Sequence, residues 1–68
     1  MGVEDRFLDH LVQTRGAVTV FLLNGVKLQG QILETDDRTL LLKREAMTQL
    51  VFKHAISTIM PINPVGSI

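Results

Sequence analysis

Two adjacent hydrogen-bond donors, Lys53 and His54, interrupt an apolar stretch near the end of the chain. The apolar pair 51–52 precedes them, and a second run of strand-forming residues, 56–60, follows after a single alanine. Because the interior of a strand does not accommodate such side chains without partners, we expect both to lie at a tight corner between two strands, with their donors pointing outward together. This arrangement suits an anion such as a phosphate group.

Residue types that occur in catalytic triads are also present. Ser57 is a nucleophile type, His54 a base, and Asp36 or Asp37 an orienting acid. Their spacing does not indicate a triad, and the sequence has no nucleophile elbow, no cluster of metal ligands and no phosphate-binding glycine loop. The sequence therefore predicts a protein that is not an enzyme and has neither a cofactor nor a metal site.

The size of the chain makes a partner subunit an expected source of stability. With 68 residues it forms one domain at most, and at this size apolar burial roughly balances an ordering entropy of about 1.5 kcal/mol per residue. There is no cysteine, which excludes disulfides and thiolate metal sites, and two isolated histidines do not make a structural zinc site. Association with further copies is the remaining common means of stabilisation.

The charges of the chain balance, with seven Lys and Arg against seven Asp and Glu. The chain therefore lacks the overall positive field of a non-specific nucleic-acid binder, and any contact with a nucleic acid must be local. Residues 1–5 carry acids where a signal peptide has cations, and no apolar run approaches membrane-spanning length. We expect a soluble, cytoplasmic protein that does not contact a membrane.

A helix and five short strands are expected to position these residues. Apolar residues at helical spacing between 7 and 12 predict the helix, and Gly16 is expected to stop it. The predicted elements are a helix over 4–14 and strands over about 17–23, 26–35, 39–43, 47–52 and 56–60, which form a domain over 1–62 with a short tail over 63–68. This order is typical of a mainly β, strongly bent antiparallel barrel, with Gly30 placed for the bend.

Asn24-Gly25 joins the first two predicted strands and is the commonest two-residue hairpin turn. Such a turn places Phe21 opposite Leu28 and Leu23 opposite Val26, so that these four apolar side chains share one face. Three polar residues of the second strand are then expected on the other face: Lys27, Gln29 and Gln31.

The barrel is expected to expose two apolar edges, near 50–52 and 56–59. Unpaired apolar edges promote aggregation unless another element or another copy covers them. A closed ring of identical subunits would pair every edge.

Two longer segments resemble a known family. The segment 21–31 reads FLLNGVKLQGQ and resembles the first Sm motif, and 52–58 reads FKHAIST and is similar to the second. Both motifs stand in the right order and at the right separation. Over roughly 5–64 the chain resembles Hfq, the bacterial Sm-like RNA chaperone family, which implies a five-stranded Sm-like (SH3-like) barrel behind an N-terminal helix, assembled as a homohexameric ring.

The resemblance also implies an RNA-binding function with two faces and a rim. It implies that the helix-bearing proximal face binds uridine-rich RNA, that the opposite distal face binds adenine-rich RNA, and that a basic rim helps small regulatory RNA to pair with mRNA. The implied distal residues are Phe21, Leu22, Asn24, Gly25, Val26, Lys27, Leu28, Gln29, Gln49 and Thr58; the proximal ones are Asp36, Asp37, Arg38, Lys53 and His54; the rim residue is Arg15.

The chemistry of the residue types agrees with this assignment. A single-stranded base is held by stacking, worth about 1–3 kcal/mol, and is identified by hydrogen bonds to its edge. Phe21 with Val26 and Leu28 is expected to supply the stacking surface, while Gln29 and Gln49 can both donate and accept hydrogen bonds.

The chain departs from the family pattern on the proximal face. Where the family usually has a glutamine followed by an aromatic residue, this chain has Asp37 and Arg38, and Glu4 replaces a glutamine before the helix. The rim retains Arg15 as its only clear cation. We therefore expect the distal face to bind RNA better than the proximal face, and RNA annealing to be weakened.

A different class of function is a small β-barrel adaptor that binds peptides in a groove. Such a groove is usually lined by aromatic residues. The chain has three phenylalanines and no tryptophan or tyrosine, which disfavours this alternative.

Overall fold

The computed structural model describes residues 2–62 as one helix followed by five antiparallel strands. The elements are α1 (Val3–Thr14), β1 (Ala17–Leu22), β2 (Lys27–Thr35), β3 (Thr39–Arg44), β4 (Met47–Phe52), a 3₁₀ turn (Lys53–Ala55) and β5 (Ile56–Pro61). The expected element order is confirmed, and every boundary of the helix and the five strands agrees to within one residue. The predicted tail, 63–68, lies outside the described residues.

Helix α1 lays its apolar stripe on the sheet. Leu8 and Leu11 are buried, and Phe7 and Val12 pack partly buried beside them, as expected for helical spacing. The helix ends at Arg15, whose φ of 54° is left-handed, and not through Gly16 as expected. The Arg15 N–H donates to the Leu11 carbonyl at 3.0 Å, which satisfies one of the last carbonyls of the helix.

The β1–β2 connection differs from the predicted two-residue turn. Leu22 and Val26 close a three-residue loop: the Leu22 N–H donates to the Val26 carbonyl at 2.8 Å, and the Gly25 N–H donates to the Leu22 carbonyl at 3.0 Å. In this loop only Gly25 has a positive φ, 89°, which is typical of a three-residue loop with glycine at the left-handed position. Leu23 and Val26 therefore lie outside the strands.

The three-residue loop shifts the register by one residue and reverses the expected faces. Phe21 pairs with Lys27, and Val20 pairs with Leu28. The predicted apolar face of Phe21, Leu23, Val26 and Leu28 is therefore wrong. Phe21 shares its face with the polar residues of β2, while Leu28 turns towards the core. The alternation of Lys27, Gln29 and Gln31 with Leu28 and Ile32 contained this signal, because alternate residues of a strand line the same face.

Strand β2 is long and bent because it pairs with β1 in its first half and with β3 in its second half. Gln31 has a partner in both strands, and a bulge lies between Ile32 and Glu34. At Gly30 an added Cβ would lie 2.4 Å from the Lys43 carbonyl oxygen. The glycine is required because the backbone of β3 approaches the position that a side chain would occupy.

The core lies between α1 and the concave side of the sheet. Its fully buried residues come from the helix and from four of the strands: Leu8, Leu11, Val18, Val20, Ile32, Leu40, Leu42 and Val51. No polar or charged residue among the described ones is fully buried. Every described polar residue is therefore at least partly accessible to solvent.

The strand order is β4-β3-β2-β1-β5, so β4 and β5 form the two ends of the sheet. Both end strands expose apolar side chains. Leu50 and Phe52 of β4 are 55% and 50% exposed, and Met60 of β5 is 53% exposed. Within residues 2–62 neither strand has a neighbour on its outer side, so the predicted apolar edges are present in the single chain.

Candidate functional site

Lys53 and His54 lie in the 3₁₀ turn that connects β4 to β5. The Lys53 N–H donates to the Arg38 carbonyl at 2.8 Å, so this turn is tied to the β2–β3 loop. The His54 ring lies 5.7 Å from the Phe52 ring, centroid to centroid. The predicted corner is confirmed, and it lies directly beside the Asp36-Asp37-Arg38 loop.

Asp36 organises that loop. Its Oδ1 accepts hydrogen bonds from the Arg38 N–H at 3.0 Å, the Thr39 N–H at 2.8 Å and the Thr39 hydroxyl at 2.9 Å. The backbone bonds from Arg38 and Thr39 lower the pKa of Asp36 below its ordinary value, with a smaller contribution from the charge of Lys53. Asp36 therefore acts as an ionised turn cap, and one of its oxygens is fully engaged within the chain.

We call Asp36, Asp37, Arg38, Lys53 and His54 the proximal cluster. Four of them, all except Asp36, line one cleft of about 410 Å³ together with Phe52. Lys53 is 15% exposed at its side chain, and its Nζ lies 3.6 Å from Glu4 Oε2. The cleft contains cations, a carboxylate and a ring, which can contact a phosphate and a flat base at the same time.

A second group of candidate residues shares the outer face of β1, β2 and β5. Phe21 pairs across the sheet with Lys27 on one side and with Thr58 on the other. The Lys27 ammonium lies 5.6 Å from the centre of the Phe21 ring, and Gln29 Nε2 donates to the Thr19 hydroxyl at 3.5 Å. We call Phe21, Lys27, Gln29 and Thr58 the distal patch. It combines a ring, a cation and polar groups, but the partners of Phe21 differ from those expected.

The other predicted distal residues have different positions. Leu22 and Leu28 pack partly buried against the core, and Leu28 also lines the groove that contains Gln49. Asn24 shapes the loop, because its Oδ1 accepts a hydrogen bond from the Val26 N–H at 3.0 Å. Gly25 supplies the positive φ, and Val26 remains 46% exposed beside them.

Gln49 lies in a groove next to the distal patch. Lys27 and Gln29 line this groove, together with Arg44 and Met47. The sequence reasoning did not select Arg44 or Met47. Their pairing across the β3–β4 turn is the signal that could have identified them, because it places both beside Gln49 at the same end of the hairpin.

The remaining predicted features stand apart from both groups. Arg15 is exposed at the end of α1. It lines neither the cleft of the proximal cluster nor the groove beside the distal patch. Ser57 is the extra residue of a bulge in β5, and its hydroxyl lies 3.4 Å from that of Thr58. Within residues 2–62, His54 makes no hydrogen bond to Ser57, and no three His, Cys, Asp or Glu side chains form a metal-binding group. The described helix is too short to cross a membrane.

Comparison with solved structures supports the fold. A structure described as the pleiotropic translational regulator Hfq has a TM-score of 0.84 at 36% sequence identity, covering 87% of this chain and 98% of that one. An Hfq protein from Anabaena sp. has the same fold, with a TM-score of 0.77 at 22% identity, covering 85% of this chain and 93% of that one. The expected Sm-like barrel is therefore confirmed.

Comparison of sequences identifies the family. The model of the family described as "Hfq protein" matches residues 3–66. A protein named RNA-binding protein Hfq from Ruegeria pomeroyi is 54% identical over 65 residues, which are 96% of this chain and 82% of the relative. Another of that name, from Rhodospirillum rubrum, is 56% identical over 64 residues, which are 94% of this chain and 77% of the relative. The helix, the bent sheet and the Lys53-His54 corner agree with these matches. The chain therefore belongs to the Hfq family.

Proposed function

We propose that this protein is a homohexameric RNA chaperone that binds single-stranded RNA and supports the pairing of small regulatory RNA with mRNA in the cytoplasm. The relatives it matches are named RNA-binding proteins. The observation that carries the proposal is the distal patch, where one strand face presents a ring, a cation, an amide and a hydroxyl together. The activity is binding without turnover.

The ring is supported by the two unpaired ends of the sheet. Strand β4 exposes Met47, Leu50 and Phe52, β5 exposes Met60, and Ile62 directly after β5 is exposed as well. If β4 of one subunit pairs with β5 of the next, the backbone groups of both edges are satisfied and these apolar side chains are covered. A closed ring leaves no edge free.

The distal patch is suited to A-rich RNA. A base can stack on the Phe21 ring beside the Lys27 ammonium, which can contact a phosphate. Gln29 and Gln49 carry both donors and acceptors, as does the N6/N1 edge of adenine. Six copies in a ring would raise the affinity for one RNA strand through effective concentration.

The proximal cluster is suited to U-rich RNA, but less well. Lys53 and His54 supply donors, and Arg38 can stack on a base as a planar guanidinium. Asp37 and Glu4 introduce negative charge close to these donors, which disfavours a phosphate. We therefore place the stronger RNA site on the distal face, and Arg15 contributes a weak rim.

Two measurements test this function. Light scattering at micromolar concentration should report a mass of six chains; a well-folded monomer would contradict the ring. Titration of labelled A-rich and U-rich oligoribonucleotides, followed by fluorescence anisotropy, should show binding of both with a preference for the A-rich one. If neither oligomer binds while a peptide library does, the protein is an adaptor and the proposal fails.

A further inference from the structure

Lys53 already has an anionic partner inside the chain. Its Nζ lies 3.6 Å from Glu4 Oε2, and this is the only ion pair among residues 2–62. The two partners differ in burial, since the Lys53 side chain is 15% exposed and the Glu4 side chain is 70% exposed. Glu4 is therefore the solvent-exposed member of the pair, and an anionic ligand would compete with it for the same ammonium.

The surroundings of Glu4 allow it to move away. It belongs to the first turn of α1, where the exposed N–H groups of a helix stabilise a negative charge. The helix therefore stabilises the carboxylate after it has left Lys53, so the ion pair can open when a competing ligand replaces Glu4. Lys53 cannot move in the same way, because it is largely buried and its N–H is bonded to the Arg38 carbonyl.

We infer that Glu4 is a specificity-determining residue of the proximal cluster, acting as a displaceable counter-anion that a phosphate or a uracil carbonyl must replace to reach Lys53. This inference rests on the proposed RNA-binding function and concerns the proximal face alone. As a consequence, Glu4 in the first turn of α1 lowers the affinity of the proximal cluster for U-rich RNA. The protein as a whole then binds RNA preferentially at the distal face.

A second explanation is general repulsion, because other acids lie near the same ammonium. Asp5, Asp9, Asp36 and Asp37 line a cleft with Lys53. Asp9 makes no ion pair within the described part of the chain, so Asp9→Asn removes the same charge from the same helix without releasing Lys53. It is the matched control for Glu4→Gln.

The experiment compares native protein, Glu4→Gln and Asp9→Asn in titrations with labelled oligo-U and oligo-A at two salt concentrations. Glu4→Gln should bind oligo-U about fivefold more tightly at low salt, in line with the energy of a partly exposed ion pair. The gain should shrink at high salt because salt screens the pair. Asp9→Asn should gain much less, and oligo-A affinity should be unchanged in both variants.

The same comparison in a Lys53→Gln background isolates the pair. Without the ammonium there is no contact to release, so adding Glu4→Gln should leave the affinity for oligo-U unchanged. Thermal unfolding of every variant, followed by circular dichroism, shows that the differences arise in the folded protein.

The outcomes distinguish displacement of Glu4 from general repulsion. They also distinguish a failure of this inference from a failure of the proposed RNA-binding function. An equal gain in Glu4→Gln and Asp9→Asn would mean diffuse repulsion and overturn the inference. Unchanged oligo-U binding in Glu4→Gln, with oligo-A still bound, would overturn the inference and leave the RNA-binding function standing. If the native protein and all variants bound neither oligomer, the proposed function would fail and the inference with it.

Discussion

The proximal cluster and the distal patch differ in the kind of partner that their polar groups already have inside the chain. On the proximal side, one oxygen of Asp36 accepts three hydrogen bonds, and Lys53 is paired with Glu4. On the distal side, Lys27 contacts the face of the Phe21 ring, and Gln29 makes a single long hydrogen bond of 3.5 Å.

This difference matters because a ligand must compete with whatever a site already binds. RNA that bound the distal patch would replace only weak contacts, the Lys27 ammonium on the Phe21 ring and the long hydrogen bond of Gln29, so most of its stacking energy would remain. RNA on the proximal cluster must first separate charges that attract each other. The same barrel therefore has one surface whose existing contacts are weak and one surface whose donors are already paired with charged groups.

The first prediction, with the greatest effect, is a substitution that disrupts both surfaces at once. Gly30→Ala places a Cβ against the Lys43 carbonyl oxygen, at 2.4 Å in the unchanged backbone, so β2 and β3 must move apart. We expect a loss of about 3 kcal/mol or more in the free energy of unfolding, because such overpacking cannot be relieved by a side chain alone. Urea denaturation measures the change.

Strand β2 carries Lys27 and Gln29 and leads directly to Asp36. Gly30→Ala should therefore reduce oligo-A and oligo-U binding together. Gly2→Ala is a suitable control, because its Cβ would meet no atom within 4 Å. A stable Gly30→Ala protein that retained both activities would contradict the account of the bend.

The second prediction separates the two surfaces. Phe21→Ala removes the ring on which a base can stack and should weaken oligo-A binding by roughly tenfold, in keeping with the energy of one stacked base. Oligo-U binding should not change. Fluorescence anisotropy with both oligomers measures the affinities, and light scattering checks that the assembly remains intact.

Gln29→Ala tests the same surface through hydrogen bonding and should also act on oligo-A alone. Full retention of oligo-A affinity in both variants would remove the distal patch from the binding surface.

The third prediction concerns a double substitution that should strengthen RNA binding at the weaker, proximal surface. Asp37→Gln combined with Arg38→Phe removes one negative charge and supplies a ring, so oligo-U binding should tighten by roughly fivefold through stacking. Oligo-A titrated in parallel is the internal control and should be unaffected. If the native protein already bound oligo-U more tightly than oligo-A, our ranking of the two faces would be wrong.

The fourth prediction, with the smallest effect, concerns the stability of the folded protein at acid pH. The pKa of Asp36 is lowered in the folded protein, so the unfolded chain binds a proton at this group more readily. The contribution of Asp36 to stability is therefore present above its ordinary value of about 3.8 and is lost as the pH falls below it. Urea denaturation between pH 3 and pH 6 measures this loss.

Asp36→Asn should show a shallower loss of stability over the same acid range, because an amide does not titrate. Asp37→Asn is the matched control, since Asp37 accepts none of the three bonds that Asp36 accepts. Equal slopes for native protein and Asp36→Asn would show that the turn does not depend on the ionised carboxylate.

Much of the fold could be predicted because the signals are local. The helical spacing of Leu8 and Leu11 led to the correct burial, and the position of Lys53 and His54 between apolar runs led to the correct corner. The family resemblance, not a local signal, assigned Asp36, Asp37 and Arg38 to the same face; in the structure the pairing of β3 with β4 brings the β2–β3 loop to this turn.

The β1–β2 register could not be obtained from the turn sequence alone. Asn24-Gly25 fits a two-residue turn, and it also fits the three-residue loop that the structure contains. The choice depends on which residues of β2 face the core. With the longer loop Leu28 packs inward and Lys27 remains in solvent, and burying a leucine instead of a lysine is strongly favoured.

The order of the elements, the corner at Lys53, the exposed apolar edges and the family could all be read from the amino-acid sequence. The three-dimensional fold was needed to show that Phe21 stands beside Lys27 and Thr58, and that Glu4 pairs with Lys53. The physical reason is the range of the forces: helix and turn preferences act over a few residues, whereas register and ion pairing depend on which distant side chains the core brings into contact.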